Sequence, residues 1–169
     1  MVHTKGGKII MNIRRKEKGF TIIEVVLVLA IAGLIFLMVF IALPALQRSQ
    51  RDTQRKNDLS RLNTALTSYQ SNNRGALPSG TTASIPTSWP SFVNRYIRTA
   101  GDTFTDPSGT DYIVSTTATL PTTFDASNPV ILTTVDATCN GETLTMGQGS
   151  RKVAFQMKLE GNGIACANN

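Results

Sequence analysis

Lys18-Gly19-Phe20-Thr21-Ile22-Ile23-Glu24 leads straight into residues 25–43, nineteen positions without a charge. At 1.5 Å per residue a helix of that length covers about 30 Å, enough to cross the hydrocarbon of a bilayer. The stretch therefore predicts a membrane-spanning helix with one acid near its mouth. An ionised carboxylate at the edge of hydrocarbon is tolerated when something pairs with it or when it takes up a proton. Glu24 thus requires a partner.

Outward from this run, the charge of the chain is uneven. The 169 residues carry a formal net charge of +6. Lys5, Lys8, Arg14, Arg15, Lys16 and Lys18 against Glu17 place +5 of it ahead of Phe20. The basicity is topological: it holds the leader in the cytoplasm while the chain from Leu46 onward is exported. An ordinary signal peptide cut near Ala45 is the rival, but Leu43 and Pro44 suit such a site poorly and the apolar run is too long. Arg14-Arg15 lacks the context of a twin-arginine signal. Met11, just before the compact basic segment, is an expected alternative start of translation.

Phe20-Thr21-Ile22-Ile23-Glu24 after a basic leader ending in Lys18-Gly19 resembles the class III signal of type IV pilins and pseudopilins, a likeness that extends to about Tyr69. The resemblance implies cleavage between Gly19 and Phe20 by prepilin peptidase, N-methylation of Phe20, and polymerisation through apolar helices with Glu24 and Phe20 as the assembly pair. It also implies an assembly platform with its ATPase machinery as partners, and a cell-surface pilus serving adhesion, twitching motility and DNA uptake. Physical chemistry supplies a reason. Cleavage leaves an ammonium on Phe20, a strong partner in a low-dielectric fibre for the Glu24 of a neighbouring copy. Within one copy, Glu24 has two other choices: its own amine at i+4, or its own helix N-terminus, worth a few tenths up to about 1 kcal/mol.

Gly33 and Pro44 stand out in the apolar run, since glycine costs about 1 and proline about 3 kcal/mol in a helix interior. The spacing from Phe20 to Gly33 resembles the pilin pattern in which the segment between glycine and proline softens on stretching, whereas Pro44 departs from it, lying nearly a turn beyond the usual proline. The plainer reading is close helix packing at Gly33 and a kink at Pro44. Residues 47–57 are polar all round, with Asp52 at i+3 and i+4 from Arg55 and Lys56, as on a solvated helix. Leu59, Leu62, Leu66 and Tyr69, with Ala65 beside them, then form an apolar stripe, and residues 71–75 stop a helix running from about Thr21 to Ser71. At 1.5 Å per residue that helix is about 75 Å long.

The remainder predicts a small β-rich head. Residues 76–87 read as loop, and Ser88 caps a short helix opened by Pro90, whose Phe92, Val93, Tyr96 and Ile97 share a side with Trp89 nearby. Core packing is one reading of these aromatics and a sugar platform the other. Asp106-Pro107-Ser108-Gly109 is a turn, similar to one ahead of the sheet in many pseudopilins, followed by a strand through Ser115. Further strands are expected at 130–135, at 151–160 by strict alternation, and at 164–167 after the turn Gly161-Asn162-Gly163. The fold class is α+β, a long N-terminal helix against a small antiparallel sheet. The expected parts are a leader 1–19, a transmembrane and polymerisation segment 20–46, an amphipathic half-helix 47–74 and a head 75–169. Cys139 and Cys166, exported together, read as a disulfide that ties the last strand to the preceding loop, the other reading being two unpaired buried thiols.

Chemistry of the enzymatic kind is not expected. The only histidine is His3, in the leader, and no nucleophile elbow or phosphate-binding glycine loop is present. No cofactor or metal is expected. Asp125, Asp136 and Glu142 are weak calcium candidates among scattered loop acids. From Gly75 onward five cations face seven acids, so the head lacks the broad basic footprint of a nucleic-acid binder. The basic residues Arg48, Arg51, Arg55, Lys56, Arg61 and Arg74 are expected to meet neighbouring subunits. Two rivals to a pilus subunit stand: a pseudopilin of a secretion or competence system, and a membrane-anchored adhesin that never polymerises.

Overall fold

The computed structural model describes residues 19–80, 88–99 and 101–169. The leader residues up to Lys18, with Met11 and Arg14-Arg15, and most of the predicted loop at 81–87 lie outside the described residues. The chain divides into two compact units, Met1–Ala42 and Leu43–Asn169.

Helix α1, Ile22–Asn72, is continuous through Gly33 and Pro44 and matches the expected span to within a residue at each end. In the first unit every apolar side chain from Ile22 to Ile41 is exposed except the half-buried Ala32. It is the one described helix long and apolar enough to cross a membrane, by length and composition. So large an apolar surface requires lipid or another apolar partner.

In the second unit α1 buries the predicted stripe: Leu59, Leu62 and Leu66 are essentially inaccessible and Tyr69 nearly so. The helix ends where Asn73 Nδ2 donates to the Tyr69 carbonyl (2.8 Å) and Gly75 N to that of Gln70 (2.7 Å). Ser88 caps α2, Trp89–Val93, by accepting from Ser91 N, and a π-helical turn, Asn94–Arg98, follows. Trp89, Phe92, Val93 and Ile97 are buried, so core packing is what this face does. Edge-on ring contacts link Tyr69 to Phe92 at 5.5 Å and Trp89 to both Phe92 and Phe155 at 5.8 and 5.9 Å.

Six strands follow: β1 Ile113–Ser115, β2 Val130–Val135, β3 Ala137–Asn140, β4 Thr143–Met146, β5 Val153–Lys158 and β6 Ile164–Asn168. The main sheet has the order β1-β2-β5-β6. β2, β5 and β6 pair antiparallel, as expected, but β1 pairs parallel to β2, so the α+β head carries a mixed sheet. The parallel pair is reached by the long connection from Ser115 to Val130, as a parallel partner needs. The hairpin β3–β4 is a second sheet that the sequence reading missed. Its two-residue turn, Gly141-Glu142, begins with Gly141 at φ 64°, the left-handed conformation that hairpin turns of this length favour. Ile131, Val153, Phe155, Met157 and Ala165 bring the sheet onto the α1 stripe in one core.

Candidate functional site

The residues singled out around the predicted cut fall at the start of α1. Gly19 and Phe20 are non-helical and exposed, Phe20 at 89%. Thr21 is the residue before the first helical turn and Glu24 the third within it. Their side chains are reciprocal caps. Thr21 N donates to Glu24 Oε2 at 2.8 Å, Thr21 Oγ1 donates to the same oxygen at 3.0 Å, and Glu24 N donates to Thr21 Oγ1 at 3.3 Å. This capping box satisfies amides that a helix start otherwise leaves unpaired. In the uncut chain, where Phe20 has no free amine, Glu24 caps its own helix N-terminus. The box also sets the first helical residue at Ile22, which leaves the Gly19–Phe20 peptide outside the helix and exposed. The signal was readable: Thr-x-x-Glu before an apolar run is the signature of such a cap.

Gly33 and Pro44 both lie inside α1. A Cβ placed on Gly33 meets nothing within 4 Å, so its small size is not demanded by any contact within the chain.

A second constellation holds α1 to the head. Arg55, expected on a solvated face, is fully buried. Its guanidinium donates to both oxygens of Asp106, Nε–Oδ1 at 2.6 Å and Nη2–Oδ2 at 2.9 Å, and through Nη1 to Asp52 at 2.9 Å. The Phe124 ring covers it, 3.9 Å from Cζ to the centroid. Asp106 opens the predicted turn, closed by Gly109 N donating to its carbonyl at 2.8 Å, and also accepts from Ser108 N at 2.9 Å and Ser108 Oγ at 2.6 Å. Burial opposes its charge, but the bonds from Arg55 and then Ser108 prevail and hold the carboxyl below its ordinary range. Asp52 accepts from Glu160 N and Gly161 N at the β5–β6 turn, at 3.0 and 2.9 Å, while Arg51 grips Glu160 at 2.8 Å. One turn on, the buried Asp58 accepts from Tyr112 Oη at 3.0 Å and Arg61 Nη1 at 2.9 Å. Burial first, then the Asp58 carboxylate, push the Tyr112 phenol up.

This corrects two expectations. The helix around residues 51–58 is not solvated all round, and Arg55, fully buried against carboxylates of its own chain, is not kept for neighbouring copies, whereas Arg51 and Arg61 pair within the chain but stay partly exposed. Sequence alone offered only the i+3 pair of Asp52 with Arg55; Asp106 is 51 positions away.

Cys139 and Cys166 are bonded, with Cα atoms 5.9 Å apart. The bond joins β6 to strand β3 of the second sheet, where a loop was expected. Asp125 and Asp136 are occupied by turn amides, from Ser127 N at 2.9 Å and Gly149 N at 2.5 Å. With Glu142 they form no metal-holding group; there is none among the described residues.

Residues 14–40 match the family described as the prokaryotic N-terminal methylation motif, which spans the basic leader's end, the capped helix start and most of the apolar run. Comparison with curated proteins gives no match, and comparison with solved structures gives none.

Proposed function

This chain carries the N-terminal signal of the type IV pilins and pseudopilins, and from that premise we propose that it is the structural subunit of a type IV pilus. The observation that carries the reading is the methylation motif on a helix whose apolar residues from Ile22 to Leu46 are exposed almost without exception. As a precursor the chain sits in the membrane by this helix. Prepilin peptidase cuts the exposed Gly19–Phe20 bond, the new amine of Phe20 is methylated, and the assembly machinery draws subunits into a fibre. There the Phe20 ammonium of one copy meets the Glu24 carboxylate of another in a low-dielectric core, which favours a charge-assisted bond. The parts 1–19, 20–46, 47–74 and 75–169 correspond to leader, polymerisation segment, docking half-helix and exported head. Adhesion and twitching follow from such a fibre; the work is mechanical, and no catalytic constellation enters it. Gly33 and Pro44 are the softening points under load.

N-terminal analysis of mature protein from sheared surface material, with electron microscopy of that material, tests the proposal. Methyl-phenylalanine from position 20 in long fibres is the expected result. Short stubs only would favour a pseudopilin, and a chain cut elsewhere would refute the processing scheme. Glu24→Ala is expected to abolish fibres while leaving membrane insertion intact, and full-length fibres from that variant would refute the role of the acid.

A further inference from the structure

The arginines of the second unit fall into two sets. Arg51, Arg55, Arg61 and Arg98 are each bonded to carboxylates of the chain. Arg48, Arg74, Arg95 and Arg151, among the described residues, have no such partner, and of these Arg74 and Arg151 are far apart in sequence and close in space. With Lys152 they line one hollow of about 500 Å³ at the C-terminal end of α1, together with Gln70, Ser71, Gly75 and Asn169, the last residue of the sequence, and no Asp or Glu side chain contributes to its wall.

The chain holds these like charges together by construction. Gln70 Nε2, on the last turn of α1, donates to the Arg151 carbonyl at 2.8 Å, and Asn169 Nδ2 donates to the same oxygen at 3.1 Å. Gln70 Oε1 in turn accepts from Asn169 Nδ2 at 2.9 Å, so the backbones bearing Arg74 and Arg151 are tied through one side chain. Arg74 itself is in the left-handed region, φ 55°, at the stop of the helix. Gly75 provides a shelf: a Cβ there would stand 3.0 Å from Cζ and Nη1 of Arg151, so the guanidinium lies against bare backbone. Lys152 Nζ spends one of its donors on the Asn169 main-chain oxygen at 2.9 Å, which leaves two. Three cations with no Asp or Glu side chain among them leave an excess of positive charge in the empty protein, and an anion relieves it.

We propose that Arg74, Arg151 and Lys152 form a binding pocket for a tetrahedral oxyanion, a phosphate or sulfate group. Two planar guanidinium forks and an ammonium offer more donors and more charge than a carboxylate, with two oxygens and one charge, can use. The pocket lies wholly within the unit Leu43–Asn169 and is argued without reference to polymerisation. Its test therefore uses monomeric full-length chain in detergent micelles, where failure of the filament reading has no bearing.

Inorganic sulfate and phosphate are titrated at constant ionic strength, following the amide resonances of Gly75, Arg151 and Lys152. Saturable shifts at these residues are expected. Arg74→Gln and Arg151→Gln are each expected to weaken binding at least tenfold, and Arg151→Lys to weaken it less, while Arg95→Gln leaves it unchanged. Arg74 is exposed, so its variant keeps the fold, and the buried Trp89 reports that. No saturation, equal binding by the Arg74→Gln variant, or tighter binding of acetate than of sulfate would overturn the proposal. Competition by a phosphodiester oligonucleotide or by a sulfated oligosaccharide then identifies the polymer that presents the group, and displacement by neither would overturn a polymeric source.

Discussion

Replacing Asp106 with alanine removes two of the three carboxylate bonds on a guanidinium that has no access to water. Breaking one partner from a buried ion pair costs about 3 to 5 kcal/mol, because the other charge is left uncompensated. Here Asp52 remains at 2.9 Å and Glu160 at 3.7 Å, and the Phe124 ring still covers Arg55 at 3.9 Å. The lower figure, about 3 kcal/mol, is therefore expected for Asp106→Ala. For a unit the size of Leu43–Asn169 that is a fall in Tm of roughly 10 °C. Trp89 is the chain's single tryptophan and is 1% exposed, so its emission on heating the full chain in detergent reports the head and not the apolar helix. Arg55→Met should cost a similar amount. The double variant should lose less than both losses together by about 2 kcal/mol, since neither charge is then left stranded. Added salt should change little, because the pair is out of solvent. Strict additivity, or a fall of less than about 2 °C in either single variant, would refute the clasp as a major tie between helix and head.

Other perturbations follow from the same contacts. Asp106 has a lowered carboxyl pKa, so its contribution is present above the ordinary value of 3.8 and is lost as pH falls through the folded value; Asp106→Asn should flatten the acid limb of Tm against pH. Tyr112 is shifted the other way, so its contribution persists up to pH 10.0 and is lost at higher pH, which Tyr112→Phe should abolish in an alkaline melt. Reducing Cys139–Cys166, which spans 27 positions, should cost about 3 to 4 kcal/mol, read as a lower Tm in reductant that the Cys139→Ser/Cys166→Ser variant reproduces without it. Thr21→Val should remove about 1 kcal/mol of capping and speed amide exchange in residues 22–24, with no effect on the melt of the head.

The parts of the fold that were legible in the sequence are those written as periodicity. The stripe Leu59, Leu62, Leu66 and Tyr69 gave the buried face of α1, and the β-branched run 130–135 gave β2 at its observed bounds. β3 and β4 were not legible because Thr138, Cys139, Asn140 and Thr143 alternate no apolar side and the hairpin is largely exposed. The parallel partnership of β1 is a long-range choice with no local mark. Arg55 misled for a physical reason: a charged residue on a helix is normally solvated, and a partner far along the chain, Asp106, makes its burial tolerable. At the candidate site the methylation motif and the cysteine pair were visible, whereas the Arg74 and Arg151 hollow exists only once residues 70–75 and 151–152 are brought together.

The Thr21–Glu24 cap has one more implication. Both donors from Thr21 go to Oε2, so the carboxylate has a second oxygen, Oε1, that takes no part in the cap. The side chain is double-ended: one oxygen keeps its own helix wound while the other is left for a further donor. On the proposal that the chain polymerises, joining a fibre adds a grip without first letting go of one, and each incoming copy meets an acceptor already steadied in place.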